Sequence, residues 1–360
     1  MPSPGENPDG VEDLTHMETA GKQNIFGYTV DELTGVVTRE GQSPFRGRQL
    51  AHWIYRRRVT DFAEMTNISV PLRDRLAARH TISRPSPAQI LQSSDGTKKM
   101  SFALAGGTIE SVLMFDGERR TICVSSQIGC ALGCTFCATG KMGFTRNLTT
   151  GEIVGQVLAA NDLLVPEAEI TNLVFMGMGE PLLNYDNLVS AIHILCSELG
   201  PSISQKKMTV STAGLPTHII ALAQSGLKIG LAVSLFSADE QTRRKFMPVE
   251  ISHPLSEIRN AVLAYTRMTG RRVTFEIPLI AEVNDSIEQA RKLITFIHEI
   301  PCKINLIRFH PHEGSDLRKP GEDRVLAFRD YLYPRAPAVM IRKSFGEDIA
   351  AACGQLAARA

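Results

Sequence analysis

No stretch of this 360-residue chain approaches the ~18 consecutive apolar residues that a bilayer-spanning helix needs. Its opening residues, MPSPGENPDGVEDLTHMETA, are acidic and lack the hydrophobic centre of an export signal. A membrane or secreted protein is therefore not expected, and the expected location is the cytoplasm. Net charge is almost absent as well, with 39 Lys and Arg against 38 Asp and Glu. That balance excludes a polybasic coat held on nucleic acid by bulk attraction. Internal repeats and low-complexity segments are also lacking, and with 43% hydrophobic and 21% charged residues the chain is not of the disordered class. Seven cysteines without an export signal are expected to stay reduced unless they bind metal or do redox chemistry. Their spacing therefore matters more than their number.

What is present is enough apolar sequence for about two domains, with charge unevenly distributed. Residues 1–40 carry eight acids and two bases, whereas residues 46–79 carry eight arginines and three acids. Residues 1–25, rich in Pro, Gly, Asp and Glu, read as a flexible acidic tail. Residues 26–87 follow as a small helical domain, in which Leu50, Trp53, Ile54, Phe62, Leu72 and Leu76 suit short amphipathic helices. Arg56, Arg57 and Arg58 sit beside the only tryptophan and read either as a solvated helix face or as a phosphate-contacting patch. Residues 88–120, with turn signals SSDGTKK and MFDGERR, read as a β-rich connecting region of short antiparallel strands. From residue 121 to 360, the apolar runs TNLVFM, KKMTVST, IGLAVSLF, RRVTFEIPLI, KINLIRF and AVMIRK alternate with helix-like segments. That rhythm predicts an α/β fold with a parallel sheet and crossover helices.

The most informative stretch is SSQIGCALGCTFCATG, which sets Cys130, Cys134 and Cys137 in a C-x3-C-x2-C spacing on one glycine-containing loop. Three thiolates from one loop can hold three corners of a four-iron cluster and leave the fourth iron open. Zinc is the competing reading, but a structural zinc site wants four protein ligands, and no second cysteine pair or nearby histidine completes one.

With this loop, the stretches CVSSQIGCALGCTFCATGKMGFTRNLT, FMGMGEPLLN, NDS, CKINLIR and AACGQL resemble the RlmN/Cfr family of adenosine methyl synthases, within the radical S-adenosylmethionine superfamily. The resemblance runs over nearly the whole chain from about residue 43. It implies an incomplete (βα)6 barrel over 121–360, behind a helical domain that contacts RNA. The cofactors it implies are one 4Fe-4S cluster held by Cys130, Cys134 and Cys137, and S-adenosylmethionine used twice per turnover. A first cofactor molecule would methylate Cys353, in AACGQL, and a second would supply the radical that activates this methyl for attack on an adenine ring carbon. Cys123, in RTICVSS, matches the resolving cysteine that would form a disulfide with Cys353 on product release. Glu110, in GGTIESV, matches the proton acceptor. Without the resemblance, Cys123 and Cys353 read equally well as buried apolar residues, as Cys196 and Cys302 still do.

The same resemblance places Gly179 and Glu180 of FMGMGEP, Ser211 of TVSTAG, and Ser234, Leu235 and Phe236 of AVSLFS around S-adenosylmethionine, at the carboxyl ends of parallel strands. Two positions depart from the family pattern. Phe236 stands where a histidine is usual, and His310 where an asparagine is usual. The implied substrate is carbon 2 of an adenine in 23S rRNA, with tRNA as a second candidate. Carbon 8 is the alternative, to which Arg308 in NLIRFH is the closer match, and a non-catalytic iron-sulfur RNA-binding module is the other. Implied partners are RNA, a low-potential electron donor such as flavodoxin, and a thiol reductant, acting on a monomer. Beyond the Arg46–Arg58 cluster, candidate RNA contacts are Lys141, Arg146, Lys206, Lys207, Arg243–Lys245, Arg271 and Arg272.

Overall fold

The structure, a computed structural model, describes residues 21–165 and 168–357. Most of the expected acidic tail, residues 1–20, lies outside the described residues. The chain then opens with a two-residue strand, β1 (Gln23–Asn24), and three helices, α1 (Val30–Arg39), α2 (Phe45–Tyr55) and α3 (Val70–Arg79), before β2 (His80–Thr81) returns parallel to β1. Local chemistry starts α1: the Glu32 amide donates to Thr29 Oγ1 at 3.3 Å and the Thr29 amide to Glu32 Oε2 at 2.7 Å, a reciprocal cap that satisfies two orphan donors. Leu33, Val36, Val37, Leu50, Ile54, Leu72 and Leu76 make this domain's core.

A ten-stranded sheet forms the rest of the molecule. It begins with an antiparallel meander, β3 (Gln89–Gln92), β4 (Lys98–Leu104), β5 (Gly107–Asp116) and β6 (Arg119–Cys123). A hairpin follows, β7 (Gln127–Gly129) and β8 (Phe144–Asn147), whose connection carries the three spaced cysteines and the short helix α4 (Ala138–Lys141). The barrel proper then alternates α5 (Thr150–Asp162), β9 (Asn172–Phe175), α6 (Tyr185–Cys196), β10 (Met208–Thr212), α7 (Pro216–Gln224) and β11 (Gly230–Ser234). It continues with α8 (Glu240–Phe246), α9 (Leu255–Thr269), β12 (Val273–Leu279), α10 (Ile287–Ile297), β13 (Cys302–Arg308), α11 (Glu322–Leu332) and β14 (Val339–Ile341). The spatial order is β14-β13-β12-β11-β10-β9-β6-β5-β4-β3, with β6 and β9–β14 all parallel. Six βα units plus the short β14 make an incomplete barrel, as the resemblance implied. The β-rich region extends the same sheet rather than standing apart from it.

Two-residue periodicity sorts the barrel strands. Leu173, Phe175, Met208, Val210, Leu231, Val233, Phe275 and Leu306 are buried, while the alternate residues Met176, Ser211, Ser234 and Glu276 line the lumen.

Among the described residues, β14 and β3, the two ends of the sheet, do not pair with each other. The chain after β14 crosses to the meander instead: Gly346 N donates to Asp95 Oδ2 at 3.0 Å, Ser94 N to Asp348 Oδ2 at 3.0 Å, and Lys99 Nζ to Ala350 O at 3.3 Å. Residues 342–357 thus form a strap across the open seam.

Candidate active site

At the carboxyl ends of the parallel strands lies a cavity of about 180 Å³ whose lining includes Cys130, Cys134, Cys137, Gly179, Glu180, Ser211, Ser234, Phe236, Glu276, Arg342 and Cys353. Most of the residues singled out from the sequence are therefore brought to one place by the fold. The cysteine loop is fixed at both ends: Cys130 N donates to Gly143 O at 2.7 Å, and Cys137 N to Cys134 O at 3.1 Å. Burial pushes the Cys130 thiol up to about 11 and raises Cys134 and Cys137 as well. Buried thiols become thiolates only when positive charge arrives beside them. Three thiols carried by one loop onto one cavity are the donor set that three corners of a four-iron cube take, with the fourth iron left to the cavity.

Beside the thiols, Glu180 is 3% exposed. Its carboxylate accepts from Ala213 N at 2.8 Å and Leu182 N at 3.1 Å. Burial raises its pKa to about 7, against those hydrogen bonds. The remaining acceptor capacity of this carboxylate suits the amino group of an amino-acid cofactor. Gly179 makes the approach possible: its φ is +95°, and a Cβ there would fall 2.5 Å from Cβ of Gln127. Ser211 and Ser234, with hydroxyls 3.4 Å apart, offer a polar shelf on adjacent strands.

Phe236 takes an unusual backbone conformation for an aromatic residue, φ +66°. It is held there by Asn284 Nδ2 donating to its carbonyl at 2.8 Å. Its ring stacks on Phe136 of the cysteine loop, centroids 4.8 Å apart and planes within 9°. Phe236 thus gives the loop an aromatic support from below. Leu235 is buried and its carbonyl accepts from Arg243 Nε at 3.0 Å. His310 does not line the cavity; its Nε2 lies 2.7 Å from Ser344 Oγ and its Nδ1 3.2 Å from Glu347, where it steadies the strap.

Cys353 is exposed and Cys123 buried, and both are free thiols. Burial first, then the field of Cys353, pushes Cys123 up to about 12, with Arg342 opposing. The Cys353 segment is stitched to the turn after Cys137: Ala138 N donates to Gly354 O at 2.8 Å and Thr139 Oγ1 to Leu356 O at 2.6 Å. Glu110 is buried behind the strap, 3.0 Å from Lys99 Nζ and accepting from Ala357 N at 3.0 Å. It opens on a separate cavity with His312 and Gln355. Cys302 is fully buried and Cys196 half-buried, away from the cavity.

Three charged residues escaped the sequence reading. Glu276 and Arg342 face the lumen 3.8 Å apart, and Arg342 Nη1 lies 3.4 Å from Met176 Sδ. The only signals were a lone charge inside the apolar run VTFEIPLI for Glu276 and the first of two charges closing the run AVMIRK for Arg342. Arg243, grouped with surface cations in the sequence, is wholly buried in an ion pair with Glu250 and donates to Ala213 O at 2.6 Å.

Comparisons with known proteins agree with this architecture. Residues 23–82 match the ribosomal RNA large subunit methyltransferase N-terminal domain, and residues 124–294 match the radical SAM superfamily. A solved radical SAM methyltransferase from Sphaerobacter thermophilus superposes with a TM-score of 0.89 at 40% identity, covering 94% of this chain and all of that one. Barrel and thiol loop thus make the protein a radical S-adenosylmethionine enzyme, with a 4Fe-4S cluster and S-adenosylmethionine as its cofactors. Proteins named dual-specificity RNA methyltransferase RlmN from Desulfotalea psychrophila and Geobacter sulfurreducens are 44% and 41% identical to it, over 93% and 92% of this chain and 95% and 91% of theirs. The chain belongs to the RlmN family of radical S-adenosylmethionine RNA methyltransferases.

Proposed function

We propose that this enzyme methylates carbon 2 of an adenine in 23S rRNA, and takes tRNA as a second substrate, through a methylated Cys353. The observation that carries this reading is the position of Cys353 on the cavity that also holds the three cluster thiols and Glu180. A ring carbon between two nitrogens is electron-poor and cannot attack a sulfonium methyl, whereas a thiolate can. Bound cluster and cofactor supply the carbon-centred radical chemistry that this carbon requires.

The chain's own residues hold and time the reaction. Glu180 accepts hydrogen bonds from the cofactor's amino group, with Ser211 and Ser234 beside it, and Phe236 supports the ligand loop through Phe136. Cys353 takes the methyl, and Cys123 bonds to Cys353 as product leaves; an external thiol reductant reopens that disulfide. Glu110 accepts the ring proton once the strap residues at 350–357 release its carboxylate. The N-terminal helical domain contributes RNA contacts through Arg48 and Arg57. Arg56 and Arg58, by contrast, pair with Glu169 and Asp162 at 3.0 and 2.8 Å. The enzyme acts as a cytoplasmic monomer fed by a low-potential donor such as flavodoxin.

Methylation at carbon 8 is the second reading, favoured by Arg308, which lines the cavity and pairs with Glu322 at 2.6 Å. Anaerobic reconstitution with RNA, S-adenosylmethionine and reductant, followed by mass spectrometry of the nucleosides, separates the two. The expected product is 2-methyladenosine. Cys353→Ala is expected to abolish it while iron content stays at the parent level, and product persisting in that variant overturns the covalent route.

A further inference from the structure

The same alternation that lines the active-site cavity builds a second one below it. Met176, just past β9, and Ser211 on β10 line the upper cavity, while Val174 and Thr209, two residues earlier, line a lower cavity of about 300 Å³ at the amino-terminal ends of the strands. Thr121 and Asn172 complete a floor of hydroxyl and amide groups. The rim is cationic: Arg119, Lys206, Lys207 and Lys343 meet there, with Asp116 the single carboxylate among the lining residues. Lys343 stands 3.5 Å from Asp116 on the exposed surface, a contact worth little in water. Arg119, Lys206 and Lys207 are exposed, and among the described residues none has an acidic partner. Arg342 lines both cavities and forms the partition between them.

Cations gathered on a concave wall repel one another, and an anionic guest removes that cost. We propose that the lower mouth of the barrel is a phosphate-binding site for RNA. Arg119, Lys206 and Lys207 there clamp a backbone phosphate next to the target nucleotide. The proposal rests on the RNA reading above and deepens it. A strand that delivers its base to the Cys353 cavity carries phosphates on either side of that base; the floor of the lower cavity lies one side-chain layer from the upper one and the clamp one layer beyond it. The acidic surface of an electron-donor protein fits less well. A small recess with a hydroxyl and amide floor suits a phosphate rather than a protein face.

The test uses full-length reconstituted protein and an unmodified 23S rRNA hairpin containing the target adenosine, with binding measured by fluorescence anisotropy across a salt series. In K206A/K207A, and separately in R119A, affinity is expected to fall roughly tenfold, and the slope of log affinity against log salt to become shallower by about one. Iron content and melting temperature, which report the fold, are expected to match the parent. Arg267→Ala, an exposed arginine on α9 outside the cavity lining, is the control that keeps the slope. Unchanged affinity and slope in both variants, with the parent binding RNA normally, overturn the clamp and leave the RNA reading standing. Failure of the parent to bind the hairpin overturns both. Inorganic phosphate titrated at constant ionic strength provides a further arm: phosphate binding lost in the variants with RNA binding intact assigns the cavity to a free anion and overturns the proposal. Slowed reduction by flavodoxin with RNA binding intact overturns it in favour of donor docking.

Discussion

A carboxylate without water around it is a poor anion, and Glu180 holds that position until a ligand arrives. Its raised pKa means that the folded protein keeps a proton which the unfolded chain loses at an ordinary carboxylate value. In the cofactor-free protein its contribution to stability is therefore full below about 4.5 and declines as pH rises to about 7. Glu180→Gln is expected to remove this decline from thermal melts taken across the window. Cofactor affinity should tighten as pH rises through about 7 in the parent, because the ionised carboxylate is the better acceptor, and the variant should bind at least tenfold more weakly with a flat profile by calorimetry. This residue was singled out by the resemblance of FMGMGEP, after the cysteine loop, to the family's cofactor motif, since a glycine-rich turn alone is a weak signal. Glu276 and Arg342 were not legible. A charge within an apolar strand, as Glu276, or just past its end, as Arg342, marks equally a strand end, an exposed edge or a lumen, and only closure of the sheet shows that both point inward.

Among elements, the parallel strands could be read because each is a short apolar run buried on the helix side and separated from the next by an amphipathic helix. The limits of pattern reading appear in α8. Its sequence EQTRRKF reads as a basic surface cluster, yet of its three cations Arg244 and Lys245 face solvent, while Arg243 is turned inward to bind Glu250 and the carbonyls of Ala213 and Leu235. Three charges in a row give no indication of which one lies on the buried side of a two-turn helix. The pair supports the floor under Phe236 and Cys134. Arg243→Ala strands a fully buried carboxylate and is expected to cost about 3–5 kcal/mol, read as a lowered denaturation midpoint in chemical unfolding. Arg244→Ala should fall within about 0.5 kcal/mol of the parent.

At the scale of the molecule, the helical domain is locked to the barrel by backbone contact and by charge. Gly27, at φ +98°, packs so closely on α5 that a Cβ would sit 2.5 Å from the Gly151 amide, while Arg58 and Arg84 share Asp162 at 2.8 and 2.7 Å. Neither partner could be chosen from sequence, since Gly27 and Gly151 are far apart along the chain and unremarkable in composition. Gly27→Ala introduces both strain and a clash and is expected to lower stability by about 1–3 kcal/mol. Limited proteolysis should release the helical domain from this variant earlier than from the parent. The seam of the sheet is the counterpart of this rigid joint. Everywhere else the wall is a continuous ladder, whereas β14 and β3 are bridged by a handful of hydrogen bonds from the strap. The cheapest breathing motion of the wall is at that seam, and the strap there bears Cys353. Doorway and thiol are one piece of chain: whatever parts the wall there also swings the sulfur of Cys353 at the cavity's edge.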